Sequence, residues 1–175
     1  MTFDFDAAIR KVPNFPKPGI LFYDITSLIS NPEAAKAIQD SFDVLFPPES
    51  YDALLGVDSR GFIFSSITAY RHNKPLYLAR KPGKLPNETI SQSYDLEYGS
   101  AALEIQKIDL EKGGRWLVVD DLIATGGTLE ATCSMVEKAG VEIAGVFSVI
   151  GLPFLGYSEK LSNYKVETLI NYDSE

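Results

Sequence analysis

Val118-Val119-Asp120-Asp121-Leu122-Ile123-Ala124-Thr125-Gly126-Gly127-Thr128 joins the end of an apolar run to a pair of acids and then to a glycine-paired turn. The run Trp116 to Val119, bounded by Gly113-Gly114 and Asp120-Asp121, reads as a buried parallel strand, because an unbroken apolar run leaves no face for water. Beyond the turn the period changes: Leu129, Thr132, Cys133 and Val136 share one helical face, and Gly140 supplies the stop. Gly126 and Gly127 place no side chain between the backbone and an anion, so successive N–H groups can converge on a phosphate at the helix entry. Thr125 and Thr128 add hydroxyl donors. The two acids add a second function, since ribose offers vicinal hydroxyls to carboxylates and a reacting sugar develops positive charge at its anomeric carbon. The stretch therefore reads as a sugar-phosphate cradle. It is not a Walker loop, which requires lysine where Thr128 stands, nor a dinucleotide fingerprint, which requires G-x-G-x-x-G.

Outward from this stretch, strand and helix patterns alternate. Ala53 to Val57 is a candidate buried strand, Gly61 to Tyr70 a helix, and Pro75 to Ala79 a second strand; Arg115 to Val119, Thr128 to Ala139 and Ile143 to Ile150 repeat the order. Such alternation predicts an α/β fold with a central, mainly parallel sheet flanked by helices. Asn31 before Pro32 and Glu33 predicts a helix start, with Ala35, Ile38, Phe42 and Leu45 facing inward until Pro47-Pro48. Phe5, Ala8, Ile9 and Val12 predict a short amphipathic helix that ends before Pro13, followed by a stiff proline-punctuated lip reaching Ile20-Leu21-Phe22. Tyr94 to Tyr98 and Ala101 to Ile105, split by Gly99-Ser100, predict an antiparallel flap, while polar, turn-rich Pro82 to Ser93 predicts a mobile lid. The last twenty residues predict one helical turn and a strand through Val166 to Ile170.

A chain of 175 residues, 45% hydrophobic, suits one domain with a sizeable core, expected over residues 1–175. No apolar run approaches a membrane span. The N-terminus carries Asp4 and Asp6 where a secretory signal needs bases, so cytoplasmic residence and no membrane partner are expected. A net charge of −8 argues against nucleic acid as a partner. Yet from Ser59 to Lys84 there is no acid, while Arg60, Arg71, Lys74, Arg80, Lys81 and Lys84 all occur. Local bases of this kind suit a small polyanion, with Arg71 and Lys74 expected on a solvated helix end. Cys133 reads as a buried hydrophobe. His72 reads as a helix-end or surface residue, and without a second histidine it forms no zinc site.

The acid-pair and glycine-pair stretch resembles the diphosphoribosyl-binding motif of the type I phosphoribosyltransferases. Phe15-Pro16-Lys17-Pro18-Gly19-Ile20-Leu21-Phe22, Gly56-Val57-Asp58-Ser59-Arg60-Gly61-Phe62 and the run from Arg80 through Lys84-Leu85-Pro86 to Tyr94-Asp95-Leu96-Glu97-Tyr98-Gly99 are similar, in order, to the blocks of its adenine-using branch. The resemblance implies transfer of the 5-phosphoribosyl group from phosphoribosyl diphosphate (PRPP) to adenine, giving AMP and pyrophosphate in purine salvage, with Mg²⁺ held mainly by PRPP and water. It implies an N-terminal hood over about residues 1–30, a lid over about 82–94 and a homodimer. Asp120 and Asp121 would hold the ribose, and Ala124, Thr125, Gly126, Gly127 and Thr128 the 5′-phosphate. Asp58, Ser59, Arg60, Arg80, Lys81 and Lys84 would meet the diphosphate. Leu21, Phe22, Glu97 and Tyr98 would meet adenine, with Glu97, Asp120, Asp121 and Arg60 as the catalytic set. One departure is that Tyr23 stands where many members carry arginine. A transferase for another nucleobase and a non-catalytic PRPP-sensing regulator are the alternatives that share these motifs.

Overall fold

The computed structural model describes residues 3–95 and 100–174. The chain opens with α1 (Phe5–Ala8) and an antiparallel pair, β1 (Arg10–Pro13) with β2 (Leu21–Asp24), followed by α2 (Thr26–Ile29) and α3 (Pro32–Leu45). Then come β3 (Ala53–Val57), α4 (Gly61–His72) and β4 (Leu76–Ala79), and the antiparallel hairpin of β5 (Thr89–Asp95) with β6 (Ser100–Gln106). After α5 (Lys107–Leu110), the chain continues through β7 (Arg115–Ile123), α6 (Gly127–Lys138), β8 (Glu142–Gly151), α7 (Tyr157–Lys160) and β9 (Val166–Asn171).

Among the described residues, five strands form a wholly parallel sheet in the order β4-β3-β7-β8-β9. Alternation along each strand divides its apolar side chains between two faces. Leu54, Leu117, Val119 and Phe147 pack with Ile38 and Phe42 of α3 and Phe64 of α4. Leu55, Val57, Trp116 and Val118 pack with Leu129, Cys133 and Val136 of α6 and with Leu103 and Ile105 of β6. Both faces are covered, as the apolar runs predicted. Asn31 caps α3 by accepting from the Glu33 and Ala34 amides at 3.0 and 3.2 Å, so that helix starts where its sequence signal stands.

Three expectations are corrected. The N-terminal helix stops at Ala8, and Arg10 to Pro13 is a strand, because Lys11 and Val12 pair across the ladder with Tyr23 and Phe22. The strand carrying the acids continues past Val119 to Ile123, so Asp120 and Asp121 lie within it. The flap strand begins at Thr89, inside the segment read as lid, because Ile90 and Tyr94 pack against the α6 side of the core. His72 does end a helix, but its side chain is only 4% exposed, held between the Tyr51 hydroxyl and Asp43. Arg71 is likewise paired with Asp40 and Asp43 rather than simply solvated.

Candidate active site

In a parallel sheet, the loops leaving neighbouring strands part where the strand order reverses, and a crevice opens at their carboxyl ends. Here the reversal falls between β3, whose connection runs outward to β4, and β7, whose connection runs the other way to β8. The two loops at that point are Asp58-Ser59-Arg60 after β3 and Ala124 to Gly126 after β7. Sequence segments some sixty residues apart are thereby brought together, and an ion pair joins them: Arg60 Nε lies 2.7 Å from Asp121 Oδ2.

The acids sit in a strand that is otherwise core. Asp121 is 5% exposed and Asp120 partly accessible. The Asp121 amide donates to Asp120 Oδ1 at 2.8 Å. Burial, together with the adjoining Asp121 carboxylate, pushes the Asp120 carboxyl well above the usual range. Burial also raises Asp121, against the opposing pull of the Arg60 guanidinium. Although Arg60 is close, no donor is aligned on the buried Asp121 Oδ2.

Gly126 takes up the left-handed conformation, φ +78°, and a Cβ there would lie 3.0 Å from Cβ of Tyr157. Glycine meets both demands. Gly127 opens the twelve-residue α6, and no side chain caps that helix. The amides of its first turn are thus a ready anion site, aided by the positive end of the helix dipole. Thr125 and Thr128 are partly exposed beside it.

The basic residues divide into those with acidic partners, Arg60 and Arg80, and the exposed Lys81 and Lys84. Arg80, just after β4, donates through Nε to Asp58 Oδ2 at 3.3 Å and through a terminal nitrogen to the Lys84 carbonyl at 3.2 Å. Its backbone pairs in both directions with Glu104 of β6. Asp58 is thus engaged with the Arg80 guanidinium. Ser59, Arg60, Lys81 and Lys84 are exposed, and the Asp58–Ser59 peptide is cis.

Leu21 and Phe22 lie on β2, both partly exposed, with the Phe22 ring meeting Phe15 edge-on at 5.0 Å. Glu97 and Tyr98 lie outside the described residues. Cys133 is fully buried and its thiol is pushed up to about 12 by burial, so it takes no part in nucleophilic chemistry. The Arg60–Asp121 pair had no local sequence signal, because only the β3–β7 register brings the two together.

Against known proteins, the phosphoribosyl transferase domain model matches residues 26–169. An adenine phosphoribosyltransferase of Treponema denticola is 52% identical over 170 residues, which is 97% of this chain and 90% of that protein. One from Roseiflexus castenholzii is 46% identical over 98% of this chain and its own full length. The crystal structure of the adenine phosphoribosyltransferase of Thermoanaerobacter pseudethanolicus superposes with a TM-score of 0.90 at 38% identity, covering 95% of this chain and 97% of that one. The Saccharomyces cerevisiae enzyme, solved with an imino-altritol bisphosphate and adenine, gives 0.87 at 36% identity over 94% and 96% of the two chains.

Proposed function

This chain belongs to the phosphoribosyltransferase family, as a type I member acting in purine salvage by phosphoribosylation of adenine, and from that premise we propose how its residues divide the work. Adenine N9 forms a bond to the anomeric carbon of PRPP, the bond from that carbon to the diphosphate oxygen breaks, and the purine loses a proton. Cleavage runs ahead of bond formation, so the sugar is cation-like at the transition state. Asp120 and Asp121 accept from the ribose hydroxyls and stabilise that charge, while Ala124 to Thr128 hold the 5′-phosphate on the amides of α6. Ser59, Arg60, Lys81 and Lys84 meet the diphosphate, together with Arg80 as aimed by Asp58. Leu21 and Phe22 border the base, and Glu97 and Tyr98 attend to its proton shift. The supporting observation is the meeting, at one switch point, of a buried acid pair, an uncapped glycine-paired helix entry and Arg60.

Magnesium enters with PRPP. Among the described residues no group of three or more His, Cys, Asp or Glu could hold a metal alone, and the nearby oxygen donors suit a hard cation that keeps substrate and water ligands. When bound, it neutralises diphosphate charge. The chain forms one domain over 1–175, with a hood over about 1–30 and a lid over about 82–94 whose second part is strand β5. Homodimerisation is supported by the exposed stripe Ile63, Ile67 and Tyr70 on α4, spaced to lie on one face and starting three residues after Arg60. Cytoplasmic residence accords with a single, buried, unpaired cysteine, and no described helix is long and apolar enough to cross a membrane.

The experiment is a base scan with Mg²⁺ and PRPP, in which adenine, hypoxanthine, guanine and a pyrimidine are offered separately. AMP forms from adenine in preference to other products; nucleotide from another base with none from adenine would refute the assignment.

A further inference from the structure

Successive residues of β2 face opposite ways. Phe22 meets Phe15, whereas Tyr23 is 6% exposed and its ring lies flat on Tyr172, with centroids 3.7 Å apart and planes 13° from parallel. Tyr172 follows directly after β9, and its amide donates to the Gly151 carbonyl at the end of β8. It is therefore fixed to the carboxyl edge of the sheet, the edge that carries the acid pair. Its hydroxyl donates to Asp6 Oδ1 of α1 at 2.6 Å, and Lys11 Nζ of β1 lies 2.7 Å from the same oxygen. Lys11 stands opposite Tyr23 in the β1–β2 ladder, and its ammonium is 5.3 Å from the centre of the Tyr172 ring. Three separate pieces of the N-terminal hood thus converge on one side chain outside it. Burial and Asp6 both raise the Tyr172 hydroxyl, so it stays a donor.

We propose that Tyr172 is a positioning residue for adenine: by stacking on Tyr23 and holding Asp6 and Lys11, it sets the hood on the sheet and so fixes where Leu21 and Phe22 meet the base. It acts through these residues without touching the substrate. The inference rests on the reading that Leu21 and Phe22 border adenine.

The test is steady-state kinetics of Tyr172→Ala, Tyr172→Phe, Tyr172→Leu and Phe22→Ala, varying adenine and PRPP in turn. An aromatic stack is worth up to about tenfold, so Tyr172→Ala should raise the adenine KM roughly five- to tenfold and leave the PRPP KM within about twofold. Tyr172→Phe keeps the stack and should restore most of that loss. If the alanine variant does not fold, Tyr172→Leu, which keeps apolar bulk there without a ring or hydroxyl, carries the test with the same expected split. Equal rises in both KM values, or a fall in kcat alone, would mean a general structural role and overturn the proposal. Phe22→Ala separates the two layers. An unchanged adenine KM there sinks the base-site reading and this proposal together, whereas a raised one with no effect in the Tyr172 variants sinks this proposal alone.

Discussion

Gly61→Ala isolates the contact on which the acid pair depends. Gly61 is the first residue of α4, and a Cβ built there would lie 2.6 Å from the Val119 carbonyl oxygen, 3.0 Å from Asp120 Cα and 3.1 Å from Asp120 Oδ1. Two of these atoms are backbone of a central strand, so no side chain can swing aside, and either the helix entry or β7 must move. Overpacking of this kind costs about 1–3 kcal/mol. Alanine is otherwise favoured at a helical position by at most about 1 kcal/mol, so a net loss of up to about 3 kcal/mol is expected. In a domain of this size that lowers Tm by up to roughly 12 °C. The displacement falls on Asp120 itself, and misplacing a reacting group by about 1 Å can cost on the order of a hundredfold in rate, so kcat/KM for PRPP should fall at least about tenfold. Thermal melts and initial rates on the same preparation check both numbers. A variant that melts at or above the parent and keeps its rates would show that α4 does not press on Asp120. A melting loss with full activity would show that the Asp120 position is not critical.

Other outcomes follow from the same site. Gly127→Val should weaken PRPP binding at least about tenfold by calorimetry, by pushing phosphate off the α6 amides, and unchanged affinity would remove that loop from the phosphate site. Asp121→Asn strips Arg60 of its charged partner and the sugar of one anion, so kcat should fall on the order of a hundredfold while the fold persists; near-normal turnover would refute the electrostatic role. Asp120→Asn bears on pH: the raised native pKa means the folded state holds more protons than the unfolded one, so the acid pair lowers stability progressively as pH rises from the ordinary carboxylate range through the native value. Since Asn can still accept from the Asp121 amide, the variant should gain on the parent in urea melts between pH 5 and 7.5, and a gap that narrows with rising pH would contradict this. Iodoacetamide at pH 8 should leave Cys133 unmodified until the protein is denatured, as a mass shift would register.

The parts of the fold legible from the chain were those whose signals are local. Asn31-Pro32-Glu33 carries its own cap, Gly140 its own left-handed stop at φ +83°, and Trp116 to Val119 its own two-sided burial. The misread parts were settled by partners distant in sequence. Phe5, Ala8, Ile9 and Val12 satisfy a helical period, yet pairing of Arg10 to Pro13 with Leu21 to Asp24 draws the second half into a strand. Thr89 to Ser93 looks like loop by composition, but Ile90 and Tyr94 keep a period of two against α6, and Lys138 donates to Gln92 at 3.0 Å. Within the site, Asp120, Asp121, Gly126 and Gly127 could be read directly because one strand-turn-helix unit presents them all. Arg60 against Asp121 could not, since their meeting depends on β3 and β7 being sheet neighbours.

β7 itself shows why the acid pair could be told from chance. A nine-residue strand with apolar residues from Trp116 to Val119 and again at Leu122 and Ile123 has every local reason to be apolar throughout. Two adjacent carboxylates there are disfavoured by loss of water, which raises both, and the Asp121 charge raises Asp120 further. The surroundings relieve this conflict only in part. Arg60 balances one charge, the Asp121 amide binds one oxygen, and another oxygen is left without an aligned donor. A residue pattern that contradicts its own strand is retained for chemistry and not for folding. On the proposed assignment, a cation-like sugar bound at this pair would relieve part of that conflict by pairing the charge. Features that lower the stability of the fold would then become favourable interactions at the transition state.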